Sequence, residues 1–593
     1  MNRVTHCLSY RLVQFAFLVA FLSGVSIFAA TFSVSPPVIS NDYRGVVVLQ
    51  IGGLTNGESV LVEKFTDFNG NSSVDEDDFL LQGLWLTDGV VTTIGGATNY
   101  NVPSDVSGSD GAITAPLNFA GIDLEHIIGQ YTFRVTGPGR FTNTASFTVT
   151  NSVHAQSISG VVRCSTTNLS RALVVLLSTE NDYMFSGGTV ADTDGNYSLK
   201  VQPGLYAVIA VKPNYVYDFG NPAIVNVASN VNIVTNLSLL PATTLISGKL
   251  ADWSTTNGLP GVFGICQSTN RLLTVGWTGP DGEIRLPVTS NVWRLEADSL
   301  ALAHLGYVSG EQGMMVDTTQ GPATDVLAQT PKATAMFYGT VKTDTGTPLA
   351  GVRFWGDDQQ PDGLGADGFS DTNGNYSLGV LPGPWWCGVS DDFTFRRSYV
   401  FSGDTNATLG YNQAIRADFV AKPVTARVAG QVRNGAGAPV SGVEVYGYAE
   451  ISGRNYSART LTDSSGNYSL NVADGSWRVG LGCWGEDGLE NVGYECVDEQ
   501  VASVPPTNAV LNFTVYPLGT PRLEAPVFTS PGQFAFALYG RPGTNYIVQV
   551  STNLADPLGW SALTNFTSPG TMSAVWDNRA TNFARFYRAL IGP

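Results

Sequence analysis

A chain of 593 residues is too long for one hydrophobic core, so several domains are expected. Its 66 glycines, 30 prolines and 11% aromatic residues stand beside only 13% charged residues, a composition typical of strands and tight turns. The net charge of -18 disfavours nucleic acid as a partner, because nucleic-acid affinity comes largely from Lys and Arg neutralising phosphates. An acidic surface is also an ordinary source of solubility. We therefore expect an all-β chain that does not bind nucleic acid.

The N-terminus has the pattern of a secretory signal peptide. Arg3 and Arg11 precede an apolar run from Leu12 to Ala30, and cleavage is expected after Ser26 or near Ala30. The alternative is an uncleaved membrane anchor, since the run is nearly long enough to span a bilayer. No second apolar run of that length occurs. The pattern therefore predicts a signal peptide at residues 1–30 and a secreted or cell-surface protein without a membrane span.

Residues 31–155 predict an Ig-like β-sandwich, with alternating strands such as 46–51 and 131–135. Within it, the stretch from Asp67 to Asp78 places side-chain oxygens at loop positions 1, 3, 5, 7, 9 and 12, which resembles an EF-hand-like or dockerin-type calcium loop. Ser72 replaces the usual glycine and the flanks look like strands, which favours a hairpin that carries calcium at its tip. The alternative is an ordinary acidic turn. The predicted ligands of a structural calcium ion are Asp67, Asn69, Asn71, Ser73, Asp75 and Asp78.

A unit of about 90 residues is repeated four times in the centre of the chain. The first marker of the repeat is a glycine in an opening strand, at Gly160, Gly248, Gly339 and Gly430. The second is a glycine turn with the strand that follows it, beginning at Asp192, Gly279, Asp371 and Asp463. Gly195, Gly282, Gly374 and Gly466 supply the positive φ of these turns, and the aspartates can bind the turn amides. This chemistry favours hairpins over calcium loops.

A proline follows the last strand of each unit, at Pro241, Pro331, Pro423 and Pro517. Because proline stiffens a short linker, these positions predict a semi-rigid string of units. The predicted domains after the Ig-like one are repeats 1 to 4 at residues 157–243, 245–333, 336–425 and 427–517, and a C-terminal sandwich at residues 520–593.

The three markers together resemble the carboxypeptidase regulatory-like domain. The resemblance rests on the strand glycine, on phrases such as Pro348-Leu-Ala-Gly-Val352 and on Asp371-Thr-Asn-Gly-Asn-Tyr-Ser-Leu378. It implies a transthyretin-like sandwich often grouped with carbohydrate-binding-like folds, and it implies little about activity. Repeat 2 departs most, because Glu283-Ile284 replaces the Asn-Tyr of the other units.

One aromatic position recurs after each turn, at Tyr206, Trp293, Trp385 and Trp477. A bulky ring repeated at one strand position is typical of a core. Strand alternation then turns Trp386 outward, and the same parity turns Trp355 outward, whereas Cys266, Cys387 and Cys483 point inward. Trp355 and Trp386 are candidate platforms for sugar rings; the alternative is that they pack against an adjoining repeat.

Cys483 and Cys496 are the only cysteines close enough in sequence to suggest a local disulfide. The C-terminal segment 520–593 resembles a fibronectin type III sandwich, with Tyr546, Trp560 and Tyr587 expected in its core.

No catalytic motif is present in the sequence. A zinc carboxypeptidase needs an H-x-x-E pair, and none of the four histidines begins one. Paired carboxylates for glycoside hydrolysis are the catalytic alternative that sequence motifs do not reveal, because they need only be close in space. The segments are, however, all assigned to small sandwiches, which leaves no length for a typical catalytic domain. The sequence therefore favours a non-catalytic structural or adhesive spacer with no enzyme activity. The alternative is an extracellular carbohydrate-binding protein that uses Trp355 and Trp386 on a polysaccharide or cell-surface partner.

Overall fold

The computed structural model describes residues 29–592 except 68–70, 72, 76–77, 180–183, 311–312, 361–362, 391–392, 486, 505–507, 531 and 582–583. Nearly all of the predicted signal peptide lies outside these residues. The regular structure of the described part is almost entirely β, in many small antiparallel-rich sheets, so the chain is an all-β tandem array of sandwiches. Two compact units are present: residues up to Phe393 with Asp404–Phe419, and Thr394–Gly403 with Val420–Pro593.

The first domain is a sandwich of two sheets. The smaller sheet has Val46–Gly52 between Thr31–Ser35 and Ala112–Asn118, and the larger includes Ile127–Gly137. Its core contains Leu49, Val135 and Phe147, which are fully buried. The remaining elements of the domain are Val38–Ser40, Ser59–Thr66, Leu80–Thr87, Thr93–Ile94, Ala97–Thr98, Phe141–Thr150 and the 3-10 helix Leu124–His126.

Repeats 1 and 2 belong wholly to the first unit. The strands of repeat 1 are Ser157–Cys164, Thr167–Asn168, Leu173–Ser178, Met184–Val190, Asn196–Lys200, Gly204–Val211, Tyr215–Asp218, Ala223–Val227, Asn232–Val234 and Leu237–Pro241. Those of repeat 2 are Thr244–Asp252, Phe263–Ser268, Leu272–Trp277, Glu283–Val288, Val292–Ala297, Ser309–Gly310, Met314–Asp317 and Ala323–Thr330. Repeat 2 also has a helix, Ser299–Leu305, which Asp298 caps at its start and Gly306 ends in a left-handed conformation.

Repeat 3 is divided between the two units. Its strands in the first unit are Ala335–Thr343, Arg353–Asp357, Leu364–Phe369, Asn375–Val380, Gly383–Val389, Thr405–Leu409 and Ala414–Arg416. Tyr399–Ser402 lies in the second unit, and the helix Phe393–Arg396 and the strand Phe419–Pro423 span the division. Repeat 4 contains Ala426–Asn434, Glu444–Ile451, Arg454–Leu461, Asn467–Val472, Gly475–Leu481, Gln500–Val504, Ala509–Val510 and Phe513–Val515.

The strand glycine of each repeat is explained by a carbonyl group that occupies the place of its side chain. A Cβ on Gly160, Gly248, Gly339 or Gly430 would lie 1.8, 1.9, 1.9 or 1.6 Å from the backbone oxygen of Thr235, Val326, Ala417 or Leu511. No side chain fits at that distance. Glycine therefore allows the returning segment near the end of each repeat to approach the opening strand.

The tyrosine of the Asn-Tyr-Ser-Leu phrase binds the same carbonyl group. The hydroxyl groups of Tyr197, Tyr376 and Tyr468 donate to the oxygens of Thr235, Ala417 and Leu511 at 2.7, 2.7 and 2.8 Å. We call this glycine, carbonyl and tyrosine arrangement the clasp. Repeat 2 has Ile284 instead of tyrosine and therefore retains only the glycine and the carbonyl.

The glycine turns have the predicted structural chemistry. Asp371 Oδ1 accepts the backbone N–H groups of Asn373 and Asn375, both at 2.8 Å, and Asp192 and Asp463 accept the equivalent pairs. Hydrogen bonding from the backbone of Asn196 holds the pKa of Asp192 below its usual value. The four turn glycines have φ between 73° and 78°. Each aspartate thus stabilises its turn by accepting hydrogen bonds from backbone N–H groups of that turn.

Tyr206, Trp293, Trp385 and Trp477 are buried, as predicted. In three of them the ring also donates to the carbonyl four residues earlier: Tyr206 to Gln202, Trp293 to Thr289 and Trp477 to Ala473, at 2.8 to 2.9 Å. We call these four equivalent rings the aromatic column; each packs in the core of its own repeat.

Neighbouring modules, that is, the first domain and the repeats, are joined by strand pairing as well as by proline linkers. Ile127–Gly137 of the first domain pairs in parallel with Met184–Val190 of repeat 1. Tyr215–Asp218 of repeat 1 pairs with Leu272–Trp277 of repeat 2, and Ser309–Gly310 of repeat 2 pairs with Leu364–Phe369 of repeat 3. In the second unit, Tyr399–Ser402 pairs with Arg454–Leu461 of repeat 4.

The first unit is not the linear string of modules that the sequence predicts, because modules that are not neighbours in sequence also contact one another. Asn101 of the first domain donates through Nδ2 to the backbone oxygens of Asp367 and Ser377 of repeat 3, at 3.0 and 2.9 Å. Tertiary contacts between residues more than 260 positions apart thus bring the first domain against repeat 3 as well as repeat 1.

The C-terminal segment has two three-stranded sheets, formed by Arg522–Ser530, Gln533–Tyr539 and Met572–Asp577, and by Asn545–Ser551, Ser561–Thr567 and Phe586–Ile591. Tyr546 is fully buried and Tyr587 packs on the same core. The prediction for Trp560 was wrong, because this ring is half-buried beneath Arg588, whose guanidinium carbon lies 4.3 Å from the ring centroid.

The clasp predicts a position-specific loss of stability in repeat 4. Gly430→Ala places a methyl group on the Leu511 oxygen, and we expect a cost of about 3 kcal/mol. Tyr468→Phe leaves that oxygen without its hydroxyl donor, at a cost of about 1–3 kcal/mol. Hydrogen exchange of the strand Ala426–Asn434 in the full chain should accelerate in both variants.

Gly570→Ala is the matched control, because no heavy atom lies within 4 Å of the added methyl group. Exchange in Gly430→Ala as slow as in this control would contradict the clasp.

Candidate functional site

The predicted calcium loop joins two strands of the first domain, as the sequence indicates. Asp67 directly follows Ser59–Thr66, and Asp78 stands two residues before Leu80–Thr87. Asp67 is buried, whereas Asn71, Ser73 and Asp75 are exposed. Asn69 lies outside the described residues. The loop is thus a hairpin tip with one buried carboxylate at its base.

The described side-chain oxygens of this loop accept hydrogen bonds within the loop. Asp67 Oδ1 accepts the backbone N–H of Asn71 at 3.1 Å, Asn71 Oδ1 accepts that of Ser73 at 2.7 Å, and Asp78 Oδ2 accepts that of Asp75 at 3.1 Å. Among the described residues of the chain, no group of three or more His, Cys, Asp or Glu side chains is placed to hold a metal ion. Calcium binding by the loop stays a prediction.

Trp355 and Trp386 lie on one face of a sheet in repeat 3. Their strands, Arg353–Asp357 and Gly383–Val389, are antiparallel neighbours in which Trp355 pairs with Gly388 and Asp357 pairs with Trp386. Phe354, Trp385 and Cys387 are buried on the opposite face, so the predicted alternation is confirmed. The two tryptophans are therefore diagonal neighbours on the outward face, and both are half-buried.

Acidic and amide groups surround these two rings. Asp367 is the cross-strand partner of Trp355, and Asn406 is that of Trp386. Gly388 lies beneath Trp355, where a Cβ would be 2.9 Å from the ring and 2.2 Å from Asp404 Oδ1. We call Trp355, Trp386, Asp357, Asp404 and Asn406 the tryptophan face. It combines two aromatic ring surfaces with carboxylate and amide groups.

More exposed tryptophans occur elsewhere. Trp85, Trp253 and Trp484 are 62%, 66% and 78% exposed. Trp253 and Trp484 lie outside the long regular strands, so side-chain alternation does not place them, whereas Trp85 is an outward residue of the strand Leu80–Thr87 that the sequence analysis did not single out.

A cavity of about 790 Å³ lies in the first unit, mainly between repeat 1, repeat 2 and the first domain, with Arg353 and Phe369 of repeat 3 also in its wall. Its walls are mainly apolar and include Val175 of repeat 1, Val275 of repeat 2 and Leu81 of the first domain. The cavity is not evident from the sequence, because it forms only where several modules meet.

Three charged groups in the cavity wall have protein partners, whereas Gln82 Oε1 is buried there without a hydrogen-bond partner among the described residues. Lys64 is buried, forms an ion pair with Glu125, and has its Nζ atom 4.8 Å from the centroid of the Tyr131 ring. Arg353 Nε donates to Asp367 Oδ1 at 2.9 Å. Asp298, whose carboxylate accepts the backbone N–H of Ala301 at 2.8 Å, has its pKa raised by burial and by the nearby Asp367 and Asp123.

The cysteines are divided between buried thiols and one disulfide. Cys266 and Cys387 are fully buried, and burial raises the pKa of each thiol to about 12, so neither is a nucleophile at neutral pH. Cys483 forms a disulfide with Cys496 across a separation of 13 residues, which confirms the pairing that their spacing suggested, whereas the inward, buried position expected for Cys483 was wrong because this residue is half-buried. Side-chain alternation alone does not identify such a pair.

The described histidines do not form a catalytic group. His126 is buried, with Nδ1 3.2 Å from Asp123 Oδ1 and Nε2 3.0 Å from the backbone oxygen of Tyr43. His154 lies 3.6 Å from Asp42, and His304 Nδ1 lies 3.5 Å from Gln82 Nε2. Each histidine therefore has local structural neighbours and no adjacent nucleophile among these contacts.

The chain matches no model of a known protein family and no curated protein. Solved structures with similar local architecture include the TIE protein of Bacillus anthracis, at 12% identity over 68% of this chain and 76% of that one, with a TM-score of 0.16. The Streptococcal ancillary pilin gives 11% identity, 46% and 98% coverage and a TM-score of 0.16. The major pilin subunit of Bacillus cereus gives 9% identity, 61% and 99% coverage and a TM-score of 0.14. TM-scores this low support no conclusion about the function of this chain.

Across the described residues, the structure contains no helix long and apolar enough to cross a membrane.

The calcium prediction is tested by thermal unfolding with excess calcium and with excess chelator. If the loop binds calcium, chelation should lower the melting temperature, because a ligand at about 100 times its Kd stabilises by about 2.7 kcal/mol. Asp75→Asn with Asp78→Asn should abolish this difference, since asparagine can preserve the backbone hydrogen bond but removes the charge. Asp281→Asn, on an exposed turn of repeat 2, should leave it intact. Equal melting temperatures of the wild type in both buffers would reject the calcium site.

Proposed function

We propose that this protein is an exported, non-catalytic structural or adhesive protein in which paired β-sandwich modules hold one another in fixed positions. The signal-peptide pattern at residues 1–30 supports export. The acidic, charge-poor composition and the absence of catalytic motifs from the sequence support a role in the extracellular space that requires no chemistry.

Strand pairing between modules is the observation that carries this proposal. Tyr217 and Asp218 of repeat 1 pair with Leu273 and Leu272 of repeat 2, and the backbone N–H of Phe219 donates to Arg271 at 2.9 Å. A flexible linker would allow the repeats to move independently, whereas a continuous sheet resists separation through several backbone hydrogen bonds. A spacer that positions other domains requires this stiffness.

We further infer that the four repeats are of the carboxypeptidase regulatory-like type. The strand glycine admits a carbonyl group in all four repeats, and the tyrosine of repeats 1, 3 and 4 binds that carbonyl group, which supports the interpretation of these markers as a single recurring module. The type of repeat implies a scaffold and not a peptidase.

Single-molecule pulling from both ends of the mature chain tests the structural proposal. An independent repeat of about 90 residues should lengthen the chain by about 30 nm when it unfolds, at up to 3.3–3.6 Å per residue. If repeats 1 and 2 act as one mechanical element, we expect an event of about 60 nm instead. Phe219→Pro removes the amide donor to Arg271 and should divide that event into two. Only single-repeat steps in the wild type would contradict the proposal.

A second candidate function is carbohydrate binding by the tryptophan face. The observation that favours it is the diagonal placement of Trp355 and Trp386 beside Asp357 and Asn406 on one outward surface. The corresponding outward positions of repeat 4 include Tyr446, Tyr448 and Arg478, so the pair of tryptophans is specific to repeat 3.

Affinity electrophoresis in gels containing soluble polysaccharides tests this candidate. Retardation of the wild type by one polysaccharide is expected, and Trp355→Ala with Trp386→Ala should weaken it about 5- to 150-fold, because each stacked ring contributes about 0.5–1.5 kcal/mol. Trp253→Ala is the control, since this ring is more exposed but lies in repeat 2. No retardation of the wild type, or equal retardation of all variants, would defeat the candidate.

A further inference from the structure

The outward face of repeat 1 is apolar at positions that are polar in repeat 4. In the strand Leu173–Ser178, Val174 and Leu176 are buried in the core of the repeat, whereas Leu173, Val175 and Leu177 line the cavity. In the equivalent strand of repeat 4, the alternate positions are Glu444, Tyr446, Tyr448 and Glu450. A sheet that is apolar on both faces must be covered on both faces. The outward face of repeat 1 therefore requires a second apolar surface to cover it.

Repeat 2 supplies part of that surface. Its strands Phe263–Ser268 and Leu272–Trp277 present Phe263, Ile265, Val275 and Trp277 to the same cavity, while Cys266 lies in the core of repeat 2. Ile265, Val275 and Trp277 touch the apolar cluster of repeat 1 but remain partly accessible. The two faces thus meet at some points and leave a space of about 790 Å³ beside them.

The size and the lining of this space indicate the class of ligand. Its volume lies within the range of about 300–1,000 Å³ that is usual for small-molecule sites. A sugar or a nucleotide would require several unpartnered hydrogen-bonding groups that converge on it. Here Lys64 is paired with Glu125, Arg353 is paired with Asp367, and Asp298 caps a helix. Gln82 Oε1 is a buried acceptor without a partner in the described lining, but one such group is too few for a sugar or a nucleotide, and most of the wall is aliphatic or aromatic.

We propose that this cavity is a binding site for a single-chain amphiphile, whose long apolar chain lies between the outward faces of repeats 1 and 2. The chain buries its surface against side chains that would otherwise contact water, and its head group remains at the margin, where Arg285 is exposed. Free fatty acids and lysophospholipids share this chemistry. This site is separate from the tryptophan face and does not depend on the proposed structural function.

The proposal is tested with the neutral dye N-phenyl-1-naphthylamine and the full mature chain, after bound lipid has been removed on an apolar resin. We expect saturable fluorescence enhancement that palmitate reverses, and displacement by octanoate at least about ten-fold weaker, because each buried methylene adds affinity. Palmitate and a lysophospholipid, added separately, distinguish the two natural sources of the chain. Displacement by either supports the site, and the absence of saturable dye binding overturns it.

Two variants that fill the cavity from one wall, Ile265→Trp and Val275→Phe, should weaken dye binding at least about ten-fold without lowering the melting temperature. Val501→Phe is the control, because Val501 is 63% exposed and belongs to the other unit. Equal dye affinity in the filled variants and the control would show that the dye binds elsewhere and would overturn the proposal.

Native mass spectrometry of the wild type with palmitate tests the site without any variant. The same measurement is made with a lysophospholipid, and one bound amphiphile per chain is expected with at least one of the two; spectra without either adduct would overturn the proposal even if the filled variants failed to fold.

Discussion

The approach of one backbone carbonyl to one glycine fixes the geometry of each repeat. The Leu511 oxygen occupies the space where a side chain of Gly430 would lie, and Tyr468 binds the same oxygen from the following hairpin. The opening strand, the turn strand and the returning segment therefore meet at one atom. Because these three segments are distant in sequence, their meeting closes the sandwich and places the aromatic column, including Trp477, in its core.

Once each sandwich is closed, its free strand edges become the means of joining the modules. An unpaired edge exposes N–H and C=O groups that attract another strand, and in this chain the neighbouring module supplies that strand. Tyr215–Asp218 covers an edge of repeat 2, and Ile127–Gly137 meets an edge of repeat 1. The same pairing satisfies the backbone groups, restricts motion between modules and leaves fewer edges open to aggregation.

The outward faces are where the repeats differ, and both proposed sites lie on them. Repeats 1 and 2 are apolar there and enclose the cavity, whereas repeat 3 carries Trp355 and Trp386. The inward positions are apolar in every repeat, because they pack in the core of that repeat. In repeat 1 the outward residues are buried as well, as Val175 and Ile209 show, so both faces of its sheet contribute to packing.

The sequence by itself determined the β class, the four-fold repetition, the turns and the side of each strand on which Trp385 and Trp386 lie, because these depend on local chemistry and on a period of two residues. Only the tertiary structure decided why Gly430 is glycine, that Trp560 lies beneath Arg588, and that two apolar faces enclose a cavity. Each of these depends on which distant segment arrives at a given surface, and side-chain periodicity within one strand contains no information about its partner.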